Sequence, residues 1–361
     1  MDVCVTYTQK KNGDTRALES LSRRVSFAPH TTRHNHTHVS THPPLFENHA
    51  HRPKKSQGDY RTFWMPRLLY YAQTFPGATA ASLQRLVDAR LSDVCIYLSS
   101  LHIGEDPTTH QPYLHLNDAD VRDQAAFLAD VRTTCAGGDI RVMAMLGGAG
   151  GAYTALFADF EPRYALLRAF LQQNPWITGL DLDVEEALAD DPNEALAKIR
   201  LLIRRLAADM GDAFTLTMAP VAYALTGDSA GMGNFVYKAL YATPEGQRLA
   251  WFNVQAYGCY DAKTYAAIVA QGYPSDKLVF GMLGDLYEGA TAFGDAMTEV
   301  ETIVRTHPTN FGGVVLWEYG DTQVDPVTWG QAVERAMVAG LVGEVEDRQE
   351  EDGAANGCLM G

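Results

Sequence analysis

The sequence predicts an α/β protein with the (β/α)8 architecture of a TIM barrel. Short apolar runs rich in β-branched and aromatic residues alternate with segments of helical periodicity, which is typical of parallel β/α units. Eight such runs are present between residues 65 and 340. Eight units in about 280 residues match the usual size of this barrel, whereas a doubly wound sheet rarely needs eight regular repeats.

The predicted strands are the eight apolar runs themselves. In chain order they are R-L-L-Y-Y from Arg67, D-V-C-I-Y-L from Asp93, I-R-V-M-A-M-L from Ile140, G-L-D-L-D-V-E from Gly179, F-T-L-T-M-A-P from Phe214, W-F-N-V-Q-A-Y from Trp251, K-L-V-F-G-M-L from Lys277 and G-V-V-L-W from Gly313. A helix is clearest after the fourth run, where apolar residues recur every three or four positions behind Asp191 and Pro192. These apolar residues are Ala195, Ile199, Leu202, Leu206 and Met210. We expect that face to pack on the sheet.

Two polar segments flank the predicted barrel. Residues 1 to 60 are rich in His, Thr, Arg, Asn and Pro without a sustained apolar period, so we expect a disordered His-rich tail. His34, His36 and His38 alternate there but lack Cys or carboxylate partners, and we expect no specific metal site. Residues 344 to 361 are acidic and Gly-rich, which predicts a short flexible tail.

The composition excludes several classes of function. The 361 residues carry a formal net charge of −15, so we expect no nucleic-acid and no membrane partner, since both require a positive surface. No apolar run is long enough to span a bilayer, no secretory signal is evident, and localisation stays open. The five cysteines are scattered without a C-x-x-C pair, which predicts reduced thiols. We expect a monomer without a cofactor.

The fourth run contains the most informative pattern. Asp181, Asp183 and Glu185 occupy every second position of an apolar segment, so in a strand they project from the same face. At the C-terminal end of a barrel strand, where active sites lie, this face points to the barrel axis. Three carboxylates in a confined space cannot all ionise, so they should share protons and titrate together.

A carboxyl group that keeps its proton near neutral pH is a usable general acid. We therefore predict that Glu185 protonates a leaving oxygen, that Asp183 hydrogen-bonds to it, and that Asp181 tunes Asp183 from below. A Mg²⁺ or Ca²⁺ site is the alternative, because hard cations favour carboxylate oxygens. It has little other support in the sequence, since only Asp321 offers a carboxylate at a neighbouring strand end.

Four strand ends together resemble glycoside hydrolase family 18, the chitinases and endo-β-N-acetylglucosaminidases. Thr178 to Glu185 reads T-G-L-D-L-D-V-E, similar to the family's D-G-x-D-x-D-x-E. Met145 to Gly148 stands where the family has S-x-G-G, Gln255 to Tyr257 looks like its Q/M-x-Y element, and Trp317 looks like its strand-eight tryptophan. The resemblance covers residues 65 to 340.

The resemblance implies a retaining, substrate-assisted mechanism in which the N-acetyl group of the substrate attacks the anomeric carbon. Asp183 would then orient the acetamido group, Tyr257 would hydrogen-bond its carbonyl oxygen, and Trp317 would form the floor under the sugar. The predicted catalytic residues are Glu185, Asp183, Asp181 and Tyr257. The predicted substrate-binding residues are Trp317, Gln255, Tyr70, Gly147, Gly148 and Met218.

Three positions depart from the family pattern. Thr178 replaces an Asp, Met145 replaces the Ser, and Gly258 follows Tyr257 where many members have Asp or Asn. The leading hypothesis is a hydrolase of β-1,4-linked N-acetylglucosamine, in chitin or chitooligosaccharides. Two alternatives remain open: an endo-β-N-acetylglucosaminidase acting on N-glycans, and a chitinase-like lectin with little or no hydrolysis.

Overall fold

Eight parallel strands form a closed barrel in a computed structural model that describes residues 66 to 284 and 289 to 357. The barrel strands are β1 Arg67–Ala72, β2 Val94–Glu105, β5 Arg141–Gly147, β6 Gly179–Asp183, β7 Thr215–Met218, β8 Leu249–Gln255, β9 Leu278–Leu283 and β10 Gly313–Trp317. Each strand pairs with its neighbours in parallel, and β1 pairs with both β2 and β10, which closes the barrel. The predicted fold class is confirmed, and each of the eight runs overlaps a barrel strand.

Helices surround this barrel. They are α1 Thr79–Ala89, α2 Ala125–Ala136, α3 Ala152–Ala158, α4 Phe160–Gln173, α5 Pro192–Met210, α6 Tyr237–Tyr241, α7 Pro244–Gln247, α8 Ala262–Val269, α9 Phe293–Thr306 and α10 Pro326–Gly357. The predicted helix after the fourth run is α5. Its N-cap is Asp191, whose side chain accepts hydrogen bonds from the backbone of Asn193 and Glu194, and its apolar stripe is buried.

The strands separate two apolar cores because successive side chains point to opposite faces. On β1, Leu69 and Tyr71 belong to the cluster inside the barrel, whereas Leu68 and Tyr70 belong to the cluster between barrel and helices. The sequence L-L-Y-Y is apolar on both faces, as expected for a strand buried on both sides. The phase of this alternation decides which residues can take part in a site on the barrel axis.

A β-hairpin beside the barrel was not predicted. β2 continues beyond its pairing with β5 and pairs with the antiparallel strand β3, Pro112–Leu116, which in turn pairs with β4, Ala119–Asp120. The hairpin turn is held to the end of β1, since the side chain of Asn117 donates to the carbonyl oxygen of Gln73 at 2.7 Å. The hairpin therefore extends one side of the barrel wall.

Of the two predicted tails, the structure describes part of the C-terminal one and none of the N-terminal one. The His-rich segment 1 to 60 lies outside the described residues, as do residues 358 to 361. α10 includes residues 344 to 357, which the sequence analysis assigns to the acidic tail, and helix formers such as Glu, Arg, Gln and Ala are frequent there. In the part of the chain that the structure describes, no helix is long and apolar enough to cross a membrane.

The prediction of reduced thiols is wrong for one cysteine. Cys95 and Cys135 are free and buried, whereas Cys259 is disulfide-bonded. Cys259 lies in the half-buried turn after β8.

Candidate active site

The three acids of β6 lie in a row along the inside of the barrel. Asp181 is fully buried, Asp183 is 4% exposed, and Glu185 lies two residues beyond the end of the strand and is more exposed than either. Leu180, Leu182 and Val184 alternate with them and pack in the outer core. The alternation in the sequence therefore places the acids on one face, with Glu185 nearest the mouth.

Asp181 is held by donors from three strands. The hydroxyl of Tyr71 donates to Oδ2 at 2.7 Å, the hydroxyl of Thr217 donates to Oδ1, and the amide of Asn253 donates to Oδ1 at 3.1 Å. Met145 lies opposite Asp181 in the ladder between β5 and β6 and has no polar hydrogen to donate. On the other side of β6, Thr217 of β7 lies opposite Asp181 in the ladder, and its hydroxyl donates to Asp181.

One amide group lies between the two upper acids. Nε2 of Gln255 is 2.9 Å from Oδ1 of Asp183 and 3.2 Å from Oε1 of Glu185, and it also donates to the carbonyl oxygen of Ala219 at 3.0 Å. The predicted link between Asp183 and Glu185 therefore runs through Gln255. Gln255 is 8% exposed, so this bridge is shielded from bulk water.

Burial dominates the protonation of the row. It raises the pKa of Asp181 to about 6, although hydrogen bonds from Thr217, Tyr71 and Asn253 oppose the shift. The pKa of Asp183 is raised well above its usual value by burial and then by the neighbouring Glu185 and Asp181. Burial also raises the pKa of Glu185, while its hydrogen bond from Gln255 opposes the rise. The row holds shared protons at a pH where isolated carboxyl groups would be ionised.

The glycine turn after β5 borders the acids. Gly147 has a φ of +103°, and a Cβ atom there would lie 2.1 Å from the carbonyl oxygen of Asp183, so only glycine allows this close approach to β6. Gly148 lies beside the row, because a Cβ on it would be 3.5 Å from Oδ2 of Asp183 and 3.8 Å from the hydroxyl of Ser100. The missing side chain leaves open space next to that carboxyl oxygen.

Two aromatic residues complete the mouth. Trp317 ends β10, packs on the inner core and is half-buried, with its ring centroid 5.6 Å from that of Tyr71. Tyr257 follows β8 and is also half-buried, and after burial and the neighbouring Asp181 it is one of the groups that raise the pKa of Tyr71. The side chains of Trp317 and Tyr257 are therefore partly accessible at the same end of the barrel as the acids.

Two predicted substrate-binding residues do not reach this site. Tyr70 is completely buried outside the barrel, where its hydroxyl donates to the carbonyl oxygen of Pro326 at 3.0 Å. Met218 is completely buried in the same outer core. Tyr70 is next to Tyr71, and Met218 is next to Thr217, and in each pair the second residue faces the barrel axis. Both predictions are therefore wrong for the same reason, because they chose the residue on the outer face of the strand.

Three residues of the site were missed: Tyr71, Thr217 and Asn253. A signal existed for two of them, since Thr215 and Thr217 on β7, and Asn253 and Gln255 on β8, are polar at alternate positions. Tyr71 had no such signal, because β1 is apolar on both faces.

The cation alternative finds no support in the described residues, where no group of three or more His, Cys, Asp or Glu side chains is arranged to hold a metal ion. Asp181 in particular already accepts from three protein donors. This set of donors suits a carboxylate that is buried without a metal ion.

Solved structures show what this fold and site are similar to. A fungal endo-β-N-acetylglucosaminidase from glycosyl hydrolase family 18 is 30% identical with a TM-score of 0.64, over 75% of this chain and 98% of that one. Chitinase ChiC from Aspergillus fumigatus is 32% identical with a TM-score of 0.61, over 76% of this chain and 100% of that one. A family 18 chitinase from Pseudoalteromonas aurantia is 16% identical, with a TM-score of 0.55 over 75% and 99%, and shows the fold alone. Comparison with family models and with curated proteins gives no match.

The barrel with a row of carboxyl groups at its mouth, together with these relatives, defines the chain as a glycosidase. At 30% and 32% identity over almost the full length of two solved relatives, it belongs to glycoside hydrolase family 18. Within that family it is a chitinase-like enzyme.

Proposed function

We propose that this glycosidase hydrolyses β-1,4-linked N-acetylglucosamine in chitin or chitooligosaccharides with retention of configuration. The observation that carries the proposal is the row of Asp181, Asp183 and Glu185 inside the barrel, with the most exposed member at the mouth. The raised pKa of Glu185 favours the protonated form that a general acid requires.

In the proposed reaction the carbonyl oxygen of the substrate's own N-acetyl group attacks the anomeric carbon while the glycosidic bond breaks. Glu185 gives its proton to the leaving oxygen, and a cyclic oxazolinium ion forms. Water then attacks the anomeric carbon from the side that the leaving group vacated, the bond from this carbon to the acetamido oxygen breaks, and the carboxylate of Glu185 takes a proton from the water. The two inversions give net retention and restore Glu185.

The surrounding residues take roles that fit their chemistry. Asp183 is assigned to orient the acetamido nitrogen and to stabilise the positive charge that develops, and Tyr257 is assigned to the acetamido carbonyl oxygen. Gln255 holds both acids in the free enzyme, so substrate must share or replace its hydrogen bonds. Trp317 offers an aromatic face for the sugar ring.

The departures from the family pattern are compatible with activity. Thr178 lies at the start of β6, away from the mouth, where its hydroxyl donates to the carbonyl oxygen of Val142 at 3.1 Å. The serine that Met145 replaces has a substitute in Thr217, which donates to Asp181 from the other side. Glu185 is retained, and for that reason hydrolysis is preferred over the lectin alternative.

Product analysis on N-acetylglucosamine oligomers tests the proposal, with Glu185→Gln as the matched inactive variant. We expect the natural protein to release shorter oligomers that initially keep the β-anomeric configuration, and the variant to bind oligomers with turnover reduced by about 10³-fold. Absence of products from the natural protein, or equal turnover by the variant, would refute the proposal.

A second candidate is cleavage within the core of N-linked glycans. It rests on the similarity to the fungal endo-β-N-acetylglucosaminidase, which is 30% identical to this chain, whereas the fungal chitinase is 32% identical. The same row of acids would serve that reaction, since both substrates carry an N-acetyl group next to the bond that breaks. A glycoprotein with N-glycans, assayed beside chitin oligomers under identical conditions, separates the two.

A further inference from the structure

The carboxylate of Glu186, the residue after Glu185, crosses to the start of α3. Its Oε1 accepts hydrogen bonds from the backbone nitrogens of Tyr153 at 2.6 Å and Thr154 at 3.3 Å, and its Oε2 accepts one from the hydroxyl of Thr154 at 2.5 Å. Gly151, the N-cap of α3, has no side chain with which to accept these bonds. A residue of the loop after β6 therefore provides the cap.

We propose that Glu186 is a positioning residue, which holds the backbone of the neighbouring Glu185 in the geometry needed for proton transfer. This inference rests on the proposed role of Glu185 as the general acid. β6 ends at Asp183, so the strand ladder does not fix the backbone of Glu185. Before Glu185, the nitrogen of Gly148 donates to the carbonyl oxygen of Asp183 at 2.9 Å, and after it Glu186 makes its three bonds.

The anchor is itself bonded to the barrel wall. Tyr153 is completely buried, and its hydroxyl donates to the carbonyl oxygen of Leu146 on β5 at 2.9 Å. The bonds from Glu186 to the backbone of Tyr153 thus connect the catalytic loop to the barrel wall. The position of Glu185 is fixed relative to β5 as well as β6, and misplacement of a catalytic group by about 1 Å costs on the order of 100-fold in rate.

The titratable neighbours of Glu186 come from other elements. His102 on β2 and the buried hydroxyl of Tyr153 on α3 both lie within its electrostatic influence, and burial lowers the pKa of His102. On the other side of the loop, Nε2 of Gln255 donates hydrogen bonds to both Glu185 and Asp183. Loss of the anchor would admit water to Glu185 and remove part of the burial that raises its pKa.

Glu186→Ala tests the proposal, with kcat, KM and the pH profile measured on an N-acetylglucosamine oligomer. We expect kcat to fall by about 10- to 100-fold with a smaller change in KM. The alkaline limb of the kcat profile should move to lower pH, because a better hydrated Glu185 loses its proton more easily. Glu186→Gln keeps an acceptor oxygen for the two backbone nitrogens and should restore most of kcat.

A matched control exists at another helix start. Glu299 on α9 accepts a hydrogen bond from the backbone nitrogen of Ala262, the first residue of α8, at 2.8 Å. Glu299→Ala removes a comparable cap without touching the loop of Glu185, so it should lower thermal stability and leave kcat and the pH profile unchanged. An equal loss of kcat in this control would overturn the proposal.

Further outcomes separate this inference from the proposed function. If Glu185→Gln abolishes turnover while Glu186→Ala keeps the natural kcat and alkaline limb, only the role of Glu186 is refuted. If Glu185→Gln turns over normally, the proposed function fails as well. If Glu186→Ala does not fold, Thr154→Val, which removes one bond to Oε2, must still lower kcat severalfold and shift the limb, and an unchanged profile would refute the proposal.

Discussion

The hydroxyl of Tyr71, near the end of β1, donates a hydrogen bond of 2.7 Å to Asp181 on β6 across the inside of the barrel. Both residues are buried, and Thr217 and Asn253 complete the donor set around the same carboxylate. This network supports the lowest member of the acidic row, so changes in it should alter the protonation of the acids above. Four predictions concern this network and the bridge above it.

Tyr71→Phe and Tyr70→Phe are a matched pair, because each removes one buried hydroxyl from the same strand. Tyr70→Phe should lower the free energy of unfolding by about 1 kcal/mol, the usual net value of a neutral hydrogen bond, and Tyr71→Phe by about 1 to 3 kcal/mol, because its acceptor is a carboxyl group. Only Tyr71→Phe should also lower kcat, by about tenfold or more, since Tyr70 donates to Pro326 outside the barrel. Steady-state kinetics and urea unfolding of both variants check this, and an equal effect on kcat would contradict the assignment of the two faces.

Thr217→Val keeps the shape of the side chain and removes a donor to Asp181. The bond from Thr217 opposes the rise in the pKa of Asp181, so its loss should raise that pKa further. We expect a loss of about 1 to 3 kcal/mol of stability at pH 7 and a smaller loss near pH 4, where Asp181 is protonated. The carboxyl signal of Asp181 in ¹³C NMR titration gives the pKa directly, and an unchanged value would show that Thr217 is not the substitute for the missing serine.

Asp181 should make the protein less stable as the pH rises. Its pKa is raised in the folded state to about 6 from 3.8, so between these values the folded protein binds more protons than the unfolded chain. The favourable contribution is complete below about pH 4 and is lost as the pH rises past 6, a change of roughly 3 kcal/mol from this residue. Urea unfolding of the natural protein and of Asp181→Asn from pH 4 to 8 checks the sign, since the variant should show a flatter decline.

Gln255→Leu removes the bridge between the two upper acids. The hydrogen bonds from Gln255 oppose the rise in the pKa of both Asp183 and Glu185, so their loss should raise these values. The proposed acid form of Glu185 would then persist to higher pH, and the alkaline limb of the kcat/KM profile should shift upward. The profile of Gln255→Leu on an N-acetylglucosamine oligomer measures the shift, and a limb that moves to lower pH would contradict it.

The physical basis of the successful predictions is periodicity. β6 alternates acids with apolar residues, and this alternation predicts which side chains share a face. The structure brings Asp181 and Asp183 together inside the barrel. The helical stripe behind Asp191 likewise required no tertiary information, since one capping residue and a period of 3.6 define α5.

The sequence alone thus determined the barrel, its eight strands and the acidic row, because each depends on local periodicity and strand order. The tertiary structure decided which face of β1 meets the axis, and so selected Tyr71 over Tyr70. It also decided that Gln255 lies between the acids and that Glu186 caps α3. These relationships join residues from different strands and loops, and a strand that is apolar on both faces carries no record of its phase.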